Sequence, residues 1–229
     1  MKIAGLQKNS FVDYPGKIAA VVFTPGCNMN CFYCHNKILL TPEADKSLLN
    51  REEVLKFLHE RRKFLDAVVI SGGEPTLQDG LEEFMKDVKR MGYPVKLDTN
   101  GTNPSVLKKL INGKLLDYVA MDIKAPLEKY DYICGTRVEI DKIRESIDLL
   151  MQGDVDYEFR TTFVPQLGER DILSIAQMIK GARQYVLQQY KQQYMHYIQQ
   201  EPPHSSRFIM TVAGKVKGMV GRCETRGCL

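Results

Sequence analysis

The sequence predicts a mixed α/β fold, a partial (βα)6 barrel left open along one side. Two observations carry this expectation. Short apolar, β-branched runs alternate with longer stretches of helical period, the pattern of a parallel sheet with crossover helices. About six such units fit in 229 residues, too few to close an eight-unit barrel. A composition of 44% hydrophobic and 26% charged residues can build a sizeable core in one domain, and no linker, repeat or low-complexity tract interrupts it. The chain 1–229 is therefore read as one domain, with its core over about 15–190 and a tail over 191–229 whose conformation the pattern leaves open.

Strands are expected near 17–24, 66–70, 94–98, 116–122, 156–164 and 184–188, and helices near 50–64, 79–91, 104–111, 139–151 and 171–181. KIAAVVFT (17–24) is short, apolar and β-branched, as a buried strand should be, and Pro25 and Gly26 end it. DAVVI runs into Ser71-Gly72-Gly73-Glu74, and the later strands end in LDTNG, MDIK and RTTFVP. Every chemically suggestive segment thus falls at the carboxyl end of a strand, where barrel enzymes place their sites.

The segment after the first of these strands, GCNMNCFYCHN (26–36), holds three of the six cysteines. Cys27, Cys31 and Cys34 share the spacing of one helix face, but Gly26, Asn28 and Asn30 favour turns, so the segment reads as a loop. The N-terminus MKIAGLQKNS lacks the apolar core of a signal peptide and no window is long enough to span a membrane. A cytoplasmic, reducing setting is therefore expected, in which clustered cysteines more often bind metal or do redox chemistry than form structural disulfides. Zinc ordinarily takes four protein ligands from two separated pairs. Three thiols in one loop, with His35 directly after the third, suit an iron–sulfur cluster with one iron left open to a substrate. A ferredoxin-type electron carrier would want four cysteines per ordinary cluster.

The C-x-x-x-C-x-x-C spacing, with an aromatic residue before the last cysteine, resembles the cluster loop of the radical S-adenosylmethionine enzymes. SFVDYPGKIAAVVFTPGCNMNCFYCHN, followed in order by SGGEPTLQ, LDTNG and MDIK, is similar to the activating proteins of anaerobic ribonucleoside-triphosphate reductases, relatives of the pyruvate formate-lyase activases. The resemblance covers about positions 6–190. It implies the same open barrel, a [4Fe-4S] cluster on Cys27, Cys31 and Cys34, and one-electron cleavage of S-adenosylmethionine to a 5′-deoxyadenosyl radical. That radical would generate a glycyl radical on a partner enzyme, with a flavodoxin- or ferredoxin-type protein as reductant. The alternatives are activation of pyruvate formate-lyase or another glycyl-radical enzyme, and a small-molecule reaction such as that of the deazaguanine-modifying synthases.

By the same resemblance, Tyr33 and His35 flank the last cluster cysteine as cofactor contacts. Gly72 and Gly73 meet the methionine amino group, with Glu74 shaping their loop. Charged groups at the ends of apolar strands are costly to desolvate unless they find a partner or a ligand. Asp98, Asp122, Lys124 and Arg160 are such groups. One reading is a set of salt bridges closing the barrel top. The other has Lys124 on the ligand carboxylate, Arg160 reaching the ligand from the far side, and Asp98, Thr99 and Asp122 around a monovalent cation. Gln188 or Gln189 is the candidate for the adenine.

The remaining signals are plainer. A net charge of +4 and a basic stretch HERRKF that interleaves with acids do not indicate a nucleic-acid partner, nor is a membrane partner expected. His59, His196 and His204 lie in charged or polar stretches and are read as solvated. Cys134, Cys223 and Cys228 could form a second metal site, but lone cysteines are ordinarily buried hydrophobes or surface thiols.

Overall fold

The computed structural model describes residues 1–41, 47–192 and 201–228. Its single sheet has eight strands in the order of the sequence: β1 (Gly5–Tyr14), β2 (Lys17–Thr24), β3 (Ala67–Gly72), β4 (Val95–Thr99), β5 (Tyr118–Asp122), β6 (Asp156–Phe163), β7 (Gln184–Gln189) and β8 (Arg222–Arg226). β1 pairs antiparallel with β2, and every later neighbour is parallel. No pairing joins β8 to β1, so the barrel is open.

The crossover helices are α1 (Arg51–Glu60), α2 (Leu81–Arg90), α3 (Pro104–Asn112), α4 (Tyr130–Cys134), α5 (Ile140–Met151), α6 (Glu169–Met178) and α7 (Ser206–Val216). Strands β2 to β7 are each followed by a helix, which makes the six βα units expected. The helix of the sixth unit, α7, lies beyond the expected core, and β8 follows it. Local chemistry sets several helix starts. Asn50 accepts the Glu52 and Glu53 amides at the start of α1, and Ser205 accepts that of Phe208 at the start of α7. Among the described residues no helix is long and apolar enough to cross a membrane.

Strand alternation divides the core in two. Outward side chains such as Ala20, Val22, Val68, Ile70 and Leu97 pack under the helices in the main cluster. Inward ones from the first strands, Ala19, Val21, Ala67 and Val69, form a smaller cluster with Tyr14. Beyond that patch the inner face turns polar.

Two expectations change here. β1 was not expected, because GLQKNSFVDY buries only Ser10 and Tyr14 and so shows no apolar period. It is an irregular edge strand with register shifts between Gln7 and Ser10 and between Ser10 and Tyr14, which discourages pairing with other chains. His204 is half-buried rather than fully solvated, for its imidazole lies 4.5 Å from the Phe163 ring and 5.0 Å from that of Phe208, with Nε2 2.8 Å from the Leu167 carbonyl. His59 is exposed as expected, and His196 lies outside the described residues.

Phe84 on α2 is wholly buried between helix and sheet. Phe84→Ala is expected to cost about 3–5 kcal/mol of unfolding free energy, measured by urea denaturation of the cluster-free protein. A loss below about 1 kcal/mol would mean the helical layer is not close-packed there.

Candidate active site at the carboxyl ends of the strands

The segment from Cys27 to His35 forms a loop and turns rather than a helix, as the Gly and Asn content requires. It is fastened on several sides. The Gly26 N–H donates to the Leu39 carbonyl at 2.8 Å, and the Asn30 N–H donates to that of Cys134 at 2.8 Å. Asn28 Nδ2 donates to Thr102 Oγ1 at 2.9 Å, and Lys37 Nζ to Asn30 Oδ1 at 2.8 Å. Gly135, at φ +62°, tolerates the contact with α4, where a Cβ would stand 2.6 Å from the Asn30 carbonyl oxygen.

All three loop cysteines line one cavity of about 200 Å³ at the strand ends. Tyr33, His35, Gly72, Gly73, Asp98, Thr99, Asp122, Lys124 and Arg160 line it too. Glu74 does not. It is fully buried below, where its carboxylate accepts from the Thr76 amide, the hydroxyls of Thr76 and Thr99, and the Asn100 amide. Burial raises the Glu74 carboxyl despite these four donors. Its role is to tie the end of β3 to the end of β4.

The two glycines serve packing as much as access. A Cβ on Gly73 would sit 1.9 Å from the Gly26 carbonyl oxygen, and one on Gly72, at φ +120°, 2.4 Å from the Thr24 backbone. The sequence suggested bare backbone for a ligand. The structure adds that these faces are already held against the entry to the cysteine loop.

The strand-end charges form a continuous chain. Lys96 pairs with Asp98, and Arg160 lies between Asp98 at 3.5 Å and Asp122, which its Nε reaches at 2.8 Å. Lys124 Nζ is 3.0 Å from Asp122. Strand geometry dictates the arrangement. Lys96 and Asp98 sit two apart on β4 and so share a face, and Asp122 on β5 stands directly opposite Arg160 on β6. Burial would raise the Asp98 carboxyl, but Arg160 and Lys96 more than reverse this and hold it below its ordinary value. The same holds for Asp122 between Arg160 and Lys124. Burial disfavours the Lys124 ammonium, and Asp122 overrides it to keep the group charged.

The salt-bridge reading is thus present as geometry, and Arg160 spans the two carboxylates. Thr99 Oγ1 donates to Glu74 at 2.9 Å. Asp98, Thr99 and Asp122 all line the cavity, with Arg160 between the two carboxylates. Gln188 lines the cavity, whereas Gln189 donates to the His204 carbonyl at 3.1 Å. Cys134 lies buried beside Cys31, and their proximity draws Cys31 below and pushes Cys134 above the ordinary thiol range. Cys223 lies on β8, opposite Tyr185 in register.

Sequence reasoning missed the structural part of Asn100, whose amide reaches Cys27, and of Lys96, the buried end of the charge chain. The spacing of Lys96 and Asp98 on one strand carried the second signal.

Three thiols converging on a charge-lined cavity at the carboxyl ends of parallel strands define an enzyme that works through a thiolate-held cofactor. The Radical SAM superfamily model matches residues 21–179, and the chain belongs to that family. It is 42% identical over 196 residues to a candidate glycyl-radical enzyme activating enzyme of Methanocaldococcus jannaschii, across 82% of this chain and 80% of that one. It is 30% identical to the pyruvate formate-lyase-activating enzyme of Clostridium pasteurianum, across 80% and 77%. In fold it resembles SuiB of Streptococcus suis, solved with S-adenosylmethionine, at a TM-score of 0.72 and 13% identity over 91% of this chain and 52% of that one.

Membership implies a [4Fe-4S] cluster and S-adenosylmethionine, and the residues present suit both. Among the described residues no three His, Cys, Asp or Glu side chains close around a single ion. A cubane cluster asks for something else, since its three thiolates bind three different irons and so stand apart. Tyr33 lines the cavity, and its buried hydroxyl has no hydrogen-bond partner among the described residues, as expected of a group awaiting a ligand.

The depressed Asp98 and Asp122 groups give a pH prediction. An acid held below its ordinary pKa stabilises the fold above that ordinary value, and this is lost as pH falls towards the folded value. The melting temperature of cluster-free protein should fall from pH 5 to pH 3, and less steeply in Asp122→Asn. Equal slopes would show that Asp122 is not linked to folding.

Proposed function

We propose that this enzyme activates a glycyl-radical enzyme, with anaerobic ribonucleoside-triphosphate reductase as the partner and a flavodoxin- or ferredoxin-type protein as electron donor. The observation that carries the reading is the convergence of Cys27, Cys31 and Cys34 with a lysine-ended charge chain on one cavity. The two activating-enzyme relatives, each aligned over about four-fifths of the chain, support the reaction class. The resemblance of residues 10–36, and a stretch with no cysteine between Cys34 and Cys134 to hold a further cluster, support the choice of partner.

Bound together, cluster and S-adenosylmethionine supply a one-electron cleavage that yields methionine and a 5′-deoxyadenosyl radical. The chain holds and orients them. Cys27, Cys31 and Cys34 would hold three of the irons and leave the fourth open to the methionine end of the ligand. Lys124 offers its ammonium to the ligand carboxylate, and the Tyr33 side chain lines the same cavity. Gly72 and Gly73 present backbone to the amino group, and Gln188 faces the adenine. Three cations against two carboxylates leave the chain Lys96–Asp98–Arg160–Asp122–Lys124 one positive charge in excess, which suits an anionic group. Arg160 supplies the positive charge between Asp98 and Asp122, where the family resemblance would put a monovalent cation; such a cation would have to displace it.

A protein substrate rather than a small molecule is favoured by the cysteine-loop segment itself. Phe32 is 37% and Ile38 73% exposed there, an apolar rim that a docking chain would cover.

Anaerobically reconstituted protein should hold about four irons and four sulfides. Alanine at Cys27, Cys31 or Cys34 should abolish them, while alanine at Cys134, Cys223 or Cys228 should not. With reduced protein and S-adenosylmethionine, electron paramagnetic resonance should show a glycyl radical on the ribonucleotide reductase. A radical formed only on pyruvate formate-lyase would overturn the partner, and an active cluster in the Cys31 variant would overturn the cluster assignment.

A further inference from the structure

Two donors of the chain face the sulfur of Cys27. Asn100, at the end of β4 and 4% exposed, brings its amide nitrogen to 3.8 Å from Cys27 Sγ and 2.9 Å from Asn28 Oδ1. An amide can be turned either way on shape alone, but here the partners fix it. Asn100 Oδ1 accepts the Thr102 amide at 3.0 Å and the Thr102 hydroxyl at 2.7 Å. A backbone N–H can only donate, so the oxygen must face Thr102 and the NH2 group must face the cysteine loop. Of its two hydrogens, one serves Asn28 and the other points at the sulfur. The Met29 N–H, 3.4 Å from the same sulfur, is a second donor.

Asn100 is itself held rigidly. Its backbone N–H donates to the buried Glu74 carboxylate at 2.7 Å, and Asn28, which it holds, is tied to Thr102. These partners leave the side chain one available orientation.

We propose that Asn100 is a positioning residue for the iron–sulfur cluster, its amide N–H donating to the Cys27 thiolate and so raising the reduction potential of the cluster. This rests on the reading that Cys27 is a cluster ligand. Donors to cluster sulfurs stabilise the more negatively charged reduced state, and so make the cluster easier to reduce. Asn100 does not touch the ligand in this role; it acts through the sulfur.

The test is redox titration of reconstituted Asn100→Asp and Asn100→Ser, followed by electron paramagnetic resonance. Asn100→Asp keeps the acceptor for Thr102 and the shape but replaces the donating NH2. Asn100→Ser removes the reach without adding charge. Both should retain iron and show a midpoint potential more negative than the parent, and the sensitivity of the Fe–S stretching bands to deuterium exchange should diminish. A parent potential in either cluster-bearing variant would overturn the proposal. Should both variants lose the cluster, an unchanged melting temperature of the cluster-free protein would support a role at the ligand, and a lowered one would reduce Asn100 to a structural residue. If the parent itself bound no iron through Cys27, the cluster reading would fail first, visible in the iron analysis before any titration.

Discussion

The chain of charges Lys96–Asp98–Arg160–Asp122–Lys124 runs across three parallel strands inside the barrel, and the arrangement of the site depends on it. Each of these groups would be costly to desolvate alone. They are tolerable because parallel pairing puts Asp122 opposite Arg160 and because alternation puts Lys96 with Asp98, and Asp122 with Lys124, on one face. A slip of one residue in β5 or β6 would turn half the chain outward and strand the other half. The ladder is thus a specification of register more than a source of net stability. Its unequal count of cations and carboxylates leaves a positive end at the cavity.

The cysteine loop depends on that register in turn. It rests on the ends of β3 and β4, with the Gly73 backbone against Gly26, Asn28 held by Asn100 and Thr102, and Glu74 joining the two strand ends from below. Cys27 is therefore placed by the sheet as well as by its own loop. α4 supports the other side, where Cys134 and Gly135 meet Asn30 and Cys31. A mobile loop could bind iron, but it could not hold an open iron at a fixed distance from Lys124.

Much of this was legible in the sequence, for identifiable reasons. The parallel strands β2 to β7 carried short apolar, β-branched runs and five of the helices a helical period, and the run of Pro, Gly and Asn around the cysteines made a loop the only cheap conformation. The charged strand ends announced themselves by sitting where desolvation is expensive. β1 was hidden because it is a polar edge strand; β8, which has no buried residue, carries no pattern of its own, and only the family resemblance suggested a final helix and short strand there. Asn100 stood in view as a strand-end polar residue, yet its contact with Cys27 depends on where two distant loops meet, 73 positions apart. His204 looked solvated from its neighbours in sequence, whereas Phe163 and Phe208 arrive from elsewhere. Tertiary contacts of this kind leave no local pattern to read.

The most direct measurement is the affinity of cluster-loaded Lys124→Met for S-adenosylmethionine, taken beside the melting temperature of the same variant. If the positive end of the charge chain holds the ligand carboxylate, the substitution removes a charge-assisted bond of roughly 1.5–3 kcal/mol and weakens binding about ten- to hundredfold, with the cluster retained. Unchanged affinity together with a melting temperature lowered by several degrees would mean that Lys124 only neutralises Asp122, and would contradict its role as the ligand's anchor.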